Sequence, residues 1–222
     1  MPGKNIRPEL SALGIRKSPN PILPRVFSKI KKLDIKKNLL VVDHGCGQLR
    51  NVNSLLELSR RLILVDTEVQ ITKKHKFFDK HLNIKEYVKQ KYNNANIKVL
   101  DDIAFRNSKV GADFIFSINV FDVILPKTRS IILSSIKRNL STDGTLILIV
   151  PRNDTWTLRR CTNDNKYADG YVFHNHGAFT FYKNWNRQSI TNLLKRHRYK
   201  VVHDISTYKY LCLFCTIQLS NS

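Results

Sequence analysis

Acidic residues are scarce in this chain. Its 222 residues include 17 Asp and Glu against 38 Lys and Arg, a formal net charge of +21. A surplus of that size disfavours basic partners. It points to polyanions, nucleic acid first and an anionic membrane surface second. An A·T-rich coding sequence would also enrich Lys, Asn and Ile, but it accounts less well for the missing acids. Cysteine is scarce too: Cys46, Cys161, Cys212 and Cys215 are too few to staple a chain of this length with disulfides. Cys212-x-x-Cys215 has half the spacing of a zinc site. It lies inside the apolar run Tyr210-Leu211-Cys212-Leu213-Phe214-Cys215, and no second Cys or His pair matches it. Core cysteines and no metal are the expectation. No apolar run approaches the ~20 residues of a membrane span, and the N-terminus lacks a signal-peptide pattern. These absences lead us to expect an intracellular, cytoplasmic chain with no membrane partner. No internal repeat is visible. The length suits one domain with a large core, and 42% hydrophobic with 25% charged residues suits a globular one.

The apolar runs are short, and several end in acids. Leu39-Leu40-Val41-Val42 leads into Asp43-His44-Gly45-Cys46-Gly47 and then an amphipathic stretch over residues 51–61. This reads as a buried strand, a tight glycine turn and a helix. Gly-x-Gly alone fits either a ligand-binding loop or a plain strand–helix turn. Further strands are expected at 62–66, 97–100, 113–118 and 145–150, with a helix over 127–140. The Lys-rich stretch 68–91 reads as helix in one or two pieces. Alternation of this kind calls for a parallel sheet with helices on both faces. Ligands then bind outside the carboxyl ends of the strands. Asp43, Gly45, Gly47, Asp66, Asp101, Asp102, Ser117 and Asn119 all fall at those ends.

The flanks differ from this core. Residues 1–24 carry Pro2, Pro8, Pro19, Pro21 and Pro24 and read as an extended arm, either packed on the body or a tail. A helix follows over 25–33. Residues 151–184 show no period and are rich in Asn, Asp, His and aromatics, so we expect a cap over the strand ends. A helix over 187–198 and two strands at 201–205 and 210–218 close the chain. The link of residues 206–209 is too short for a crossover, so these last strands pair antiparallel. The organisation is a single domain over 1–222: arm and helix at 1–34, core at 35–150, cap at 151–184, and C-terminal helix and strands at 185–222.

In order and spacing, these elements over roughly residues 35–219 resemble the Rossmann-like (class I) S-adenosylmethionine-dependent methyltransferases. Their first motif is an acid followed by x-Gly-x-Gly-x-Gly. Here it reads Asp43-His44-Gly45-Cys46-Gly47-Gln48-Leu49, with Leu49 in place of the third glycine. Val65-Asp66 matches the acid ending the second strand, and Asp101-Asp102 the acid after the third. The run from Ala112 to Ile124 looks like the fourth strand and its loop, and that from Leu140 to Leu146 like the entry to the fifth. The resemblance implies an α/β fold with a seven-stranded, mostly parallel sheet and an antiparallel last strand. It implies S-adenosyl-L-methionine as cofactor, with Asp43 facing its ammonium group and Asp66, followed by Thr67, accepting from its ribose. Asp102 and the backbone N–H of Ile103 would take the adenine, and Ser117 would lie below the methyl. A dehydrogenase uses an acid like Asp66 in the same way, but Leu49 spoils a phosphate cradle.

The acceptor carries no motif. The Asn/Asp-Pro-Pro-aromatic tetrad of amino-directed DNA methyltransferases is replaced by Ser117-Ile118-Asn119-Val120, and the Pro-Cys pair of cytosine-carbon enzymes is absent. Asn119, Arg152, His174 and Tyr182 are the candidates for catalysis. Arg16, Lys17, Arg152, Trp156, Arg159 and Arg160 are the candidates for substrate contact. The arginines and aromatics of 151–184 suit a base and its backbone, or form the cap's own small core. His174-Asn175-His176 lacks a third ligand for a metal. The expected function is methyl transfer to RNA or DNA. The alternatives are a small-molecule methyltransferase, or a non-catalytic nucleic-acid-binding subunit keeping the fold. A protein partner or homodimer is left open.

Overall fold

Val41 and Val42 stand side by side in one strand, so each face of that strand needs cover. The computed structural model describes residues 6–8, 18–33, 38–93, 95–152, 158–175 and 177–218. It begins with α1 (Leu23–Lys31), β1 (Leu40–His44), α2 (Val52–Leu58) and β2 (Arg61–Asp66). Next come α3 (Glu68–Thr72), β3 (His75–Phe77), β4 (Lys80–Leu82), α4 (Ile84–Lys91) and β5 (Asn96–Asp101). Then follow α5 (Asp102–Asn107), β6 (Ala112–Ile118), α6 (Pro126–Asn139) and β7 (Leu140–Pro151). The last third holds β8 (Lys166–Tyr167), β9 (Gly170–Asn175), β10 (Ala178–Tyr182), α7 (Arg187–Arg196), β11 (Tyr199–Asp204) and β12 (Tyr210–Ile217).

Seven strands form the main sheet, in the order β11-β12-β7-β6-β1-β2-β5. β12 runs antiparallel to both neighbours, as the short link before it requires, and the other pairings are parallel. Val41, Leu62, Leu64 and Phe116 face α1, α2 and α4, meeting Val26, Ile30, Leu55 and Tyr87. Val42, Ile115, Leu146 and Leu148 face α5, α6 and α7, meeting Phe105, Leu133, Ile136, Ile190 and Leu194. The chain leaves β1 toward β2 and β5, then returns to β6 on its other side. The crevice over β1 is therefore the switch point where such sheets take ligands.

Three local readings change. The helix after β1 stops at Leu58, because Ser59 leaves the helix for an extended backbone, donates from its buried hydroxyl to Leu39 O and accepts from the backbone N–H of Arg61, which starts β2. The Lys-rich stretch is not all helix. A hairpin, β3–β4, separates α3 from α4, held by Phe77 stacked on Tyr87 with ring centroids 4.1 Å apart. The cap has regular structure: β8, β9 and β10 form an antiparallel three-stranded sheet. The turn expected near residues 9–13 lies outside the described residues. Cys212 and Cys215 are buried in the core, and burial pushes the Cys212 thiol up to about 12. No helix among the described residues is long and apolar enough to cross a membrane.

Candidate functional site

The turn after β1 closes on itself. The backbone N–H groups of Gly45 and Cys46 both donate to Val65 O, at 2.8 and 3.1 Å. That of Gly47 donates to the Asp66 carboxylate at 2.7 Å, whose other oxygen accepts from Thr67 N at 2.8 Å. Gly45 has φ +81°, and a Cβ there would sit 2.2 Å from Val120 Cγ2, so only glycine fits. Leu49, at the third glycine position of the motif, keeps a left-handed backbone with φ +65° and is fully buried. Packing of its side chain holds a conformation that costs an L-residue ~1–2 kcal/mol.

Asp43 lies beneath this turn, 1% exposed, and its Oδ2 has no hydrogen-bond partner among the described residues. Burial, with the negative charge of Asp66 second, raises its carboxyl from 3.8 to about 7. Its neighbour His44 packs edge-on against Phe105 at 5.7 Å, and burial lowers its imidazole to about 4, so the ring is neutral. Asp101 caps α5 by accepting from Ala104 N at 2.7 Å. Asp102, by contrast, faces the crevice and forms a 3.6 Å ion pair with Arg106.

Over the strand ends is a cavity of about 560 Å³. One wall is Gly45, Gly47, Asp66, Thr67, Gln70 and Asp102; the facing wall is Asn119, Val120, Asp122, Ile124, Pro151 and Tyr182. Asn119 also has a left-handed backbone, φ +56°, anchored by its N–H on Ile149 O at 2.8 Å. Its buried Oδ1 has no hydrogen-bond partner among the described residues.

A buried arginine packs beside the cap strand that ends in Tyr182. Arg129 of α6, 1% exposed, donates to Phe121 O at 2.9 Å and to the Asp169 carboxylate at 2.6 Å. Its guanidinium lies 4.8 Å from the Trp185 ring centroid and 5.4 Å from that of Phe181. Trp185 Nε1 donates to the same Phe121 carbonyl, and Lys183 N donates to Asp122 O at 2.7 Å. The cap sheet is thus tied directly to the loop after β6.

Of the described parts of the N-terminal arm, one reaches the cavity and the other packs on Arg50 and Asn51, which line it. Ile6 bridges to Phe179 of the cap, Arg7 N donates to Phe179 O at 2.8 Å, and Pro8 lines the cavity. Ser18 O accepts from Arg50 Nε at 2.5 Å, and Asn20, fully buried, donates from its N–H to Asn51 Oδ1 at 3.0 Å.

Of the residues singled out in the sequence, Gly45, Gly47, Asp66, Thr67, Asp102, Asn119 and Tyr182 share this cavity. Asp43 and Ser117 lie below its wall, both buried; Ser117 Oγ, too, has no hydrogen-bond partner among the described residues. Ile103 is exposed and off the wall. Arg152, Arg159, Arg160 and His174 are also off the wall. Arg152 N donates to Lys209 O, Arg160 lies over the Phe173 ring at 4.9 Å, and exposed His174 rests on Phe179 at 5.2 Å. Arg16, Lys17, Trp156 and His176 lie outside the described residues. No group of three or more His, Cys, Asp or Glu among the described residues is arranged to hold a metal. Pro8, Arg50, Gln70 and Val120 also line the cavity without having stood out in the sequence. Of these only Val120 carries a signal there, standing just past β6 opposite a glycine turn.

No family model matches the sequence. The chain is 24% identical over 205 residues to the uncharacterized protein YmfD of Escherichia coli K12, covering 91% of this chain and 88% of that one. Among solved structures it is similar to the Burkholderia thailandensis 1,6-didemethyltoxoflavin-N1-methyltransferase with bound S-adenosylhomocysteine. The TM-score is 0.61 at 14% identity, over 92% of this chain and 78% of that one. It is similar also to the magnesium protoporphyrin IX methyltransferase of Synechocystis PCC 6803, with TM-score 0.59, 14% identity and coverage of 88% and 82%. A third is an S-adenosylmethionine-dependent methyltransferase of Clostridium acetobutylicum, with TM-score 0.62, 9% identity and coverage of 89% and 91%. The chain has the Rossmann-like fold of the class I S-adenosylmethionine-dependent methyltransferases.

Proposed function

We propose that this chain transfers a methyl group from S-adenosylmethionine to an acceptor seated against Asn119 and Tyr182, and that the acceptor is a base of a nucleic acid. One observation carries the cofactor reading. The amides of Gly45, Cys46 and Gly47 are already satisfied by Val65 O and Asp66, and three acids, Asp43, Asp66 and Asp102, surround the turn. A phosphate needs free amides and positive charge; this wall offers carboxylates. It suits a ligand rich in hydroxyl and amino donors that also carries positive charge. Such a ligand fits the residues present: Asp66 and Asp102 line the cavity and accept from its donors. S-adenosylmethionine supplies, when bound, a methyl group made electrophilic by a sulfonium. The chain's own part is to orient and to exclude water. Asn119 Oδ1 accepts a hydrogen bond from the acceptor, while Val120, Ile124 and Pro151 give an apolar wall and Tyr182 closes the far side.

The net charge of +21 supports a nucleic acid as acceptor. A small flat molecule is the second reading. It is favoured by the apolar residues Val120, Ile124, Pro151 and Pro8 among the cavity lining, and by the toxoflavin-type and porphyrin acceptors named for two proteins of similar fold. Isothermal titration with S-adenosylmethionine tests the cofactor. We expect Asp66→Ala to weaken binding roughly ten- to a hundredfold, the loss of a charge-assisted hydrogen bond. No heat of binding by the unaltered chain at millimolar cofactor overturns the enzyme reading. A tritiated-methyl assay on total RNA, on DNA and on a small-molecule extract then separates the acceptors.

A further inference from the structure

The hairpin that interrupts the Lys-rich stretch builds a second surface, away from the cavity. Between Lys73 and Lys91 the chain carries seven lysines against two acids, Asp79 and Glu86. All seven are exposed. Lys73 and Lys74 lead into the hairpin, Lys76 and Lys80 sit on its strands, and Lys85, Lys89 and Lys91 lie on α4. None of them forms an ion pair among the described residues. The two acids offset only part of this charge, and the Glu86 carboxylate is turned to the helix start, accepting from Asn83 N at 2.9 Å to close the capping box of α4.

The surface is rigid. Phe77 stacks on Tyr87, and His75 packs edge-on against Phe77 at 5.9 Å, so hairpin and α4 form one unit with apolar residues inward and lysines outward. His75 Nε2 bonds Gln70 O at 2.8 Å, and Gln70 lines the cavity. The basic face therefore backs directly onto the donor wall.

The tip of the hairpin is unusual. Phe77 pairs with Lys80, leaving a two-residue turn of Phe78 and Asp79. Phe78 has φ +54° at the first position, where such turns ordinarily place glycine. It is also 52% exposed. A bulky aromatic in a strained backbone thus presents about half its surface to solvent. Backbone strain of this kind gathers at sites that bind.

We propose that the β3–β4 hairpin and α4 form a docking face for single-stranded nucleic acid, with the lysines tracking its phosphates and Phe78 stacking on a base. Cations along a rigid face with an exposed ring are the elements of sequence-tolerant single-strand binding. The inference rests on the nucleic-acid reading above and assigns its grip to a face outside the cap.

The test is fluorescence anisotropy with 5′-fluorescein oligouridylate and oligothymidylate 20-mers, titrated with salt. Three proteins are compared: unaltered, Lys76→Gln/Lys80→Gln/Lys85→Gln/Lys89→Gln, and Phe78→Gly. Phe78→Gly relieves the turn, so it folds at least as well, and calorimetric binding of S-adenosylmethionine checks the fold of each variant. We expect the unaltered chain to bind with a steep log–log salt slope. The fourfold variant should reduce that slope by ~0.7 for each phosphate no longer neutralised, up to about 3. Phe78→Gly should weaken binding roughly 5- to 150-fold and leave the slope unchanged. Tight, salt-dependent binding that both variants retain overturns this face and leaves the nucleic-acid reading standing. A flat salt dependence or no binding by the unaltered chain overturns both. Lysine-dependent sedimentation with phosphatidylserine vesicles, without oligonucleotide binding, assigns the face to a membrane surface and overturns the proposal.

Discussion

The two walls of the cavity are assembled in opposite ways. The donor wall comes mainly from one run of chain, residues 43–67, and its shape is set by backbone: a turn closed on Val65 O, two glycines and an acid gripping an amide. The acceptor wall gathers Pro8, Asn119, Pro151 and Tyr182 from four distant segments, and side-chain packing holds it through Arg129, Trp185 and Phe121. A wall fixed by backbone tolerates little change and recurs wherever the strand order recurs. A wall fixed by packing can be rebuilt without disturbing the other. The methyltransferases of similar fold, named for acceptors as different as a toxoflavin precursor and a porphyrin, illustrate that freedom.

The largest expected effect comes where the walls touch. Gly45→Ala places a methyl 2.2 Å from Val120 Cγ2, on a backbone with φ +81°. Cofactor affinity should fall by ~100-fold or more, the range expected of overpacking combined with backbone strain. Adding Val120→Ala should restore part of it. Calorimetry of the single and double variants checks this, and equal affinity of Gly45→Ala and the unaltered chain would show that the walls do not meet there.

Next in size is a pH effect confined to the donor wall. The folded-state carboxyl of Asp43 titrates at about 7, against 3.8 when exposed. Below the lower value both states hold the proton. Between the two, only the folded chain keeps it, so stability falls as pH rises. Above about 7 the loss is complete, at most ~4 kcal/mol for a shift of this size. Asp43→Asn should remove this slope and stabilise the chain at pH 8 more than at pH 4. Urea unfolding at the two values measures it; a slope unchanged by the substitution would assign the titration elsewhere.

The packed wall should yield separately. Asp169→Asn removes the carboxylate facing Arg129, and Asp169 is half-exposed, so about 1–2 kcal/mol of cap stability should be lost. Hydrogen exchange should quicken in β8–β10 while cofactor affinity stays within about twofold. A loss of cofactor affinity as large as that of Gly45→Ala would mean the walls are not independent. Smallest of all, Tyr182→Phe should lower methyl turnover by ~3- to 10-fold, the net worth of one hydrogen bond, with cofactor affinity unchanged. Radiolabel transfer at saturating cofactor measures it.

This contrast also decides what can be read from the chain alone. Strand ends announce themselves: Val41-Val42-Asp43 and Leu64-Val65-Asp66 are apolar runs cut by an acid, and the glycines beside the first mark its turn. The other strands of the sheet are legible as short apolar runs, closed by an acid at Asp101 and Asp204 and by Asn119, Pro151 and Gln218 elsewhere. The hairpin is not, because Phe77 and Phe78 with Tyr87 and Val88 fit helical spacing as well as they fit a stacked hairpin. The helix after β1 looks longer in sequence than it is, because Ser59 ends it through a bond to Leu39, far away along the chain. Asp101 and Asp102 look alike in sequence, yet only geometry shows that one caps a helix while the other faces the cavity. Pro8 and Gln70 reach the cavity through tertiary packing, which leaves no local mark.

The pairing of Ile6 and Arg7 with the cap edge has a practical side. Ile6 lies two residues from Pro8, which lines the cavity. β12 runs the other way, from Tyr210 next to Pro151 at the mouth to Ile217 at the opposite end of the sheet. A chain tethered to a sensor surface beyond β12 therefore presents its opening to solution. One tethered at the other end crowds the opening against the support.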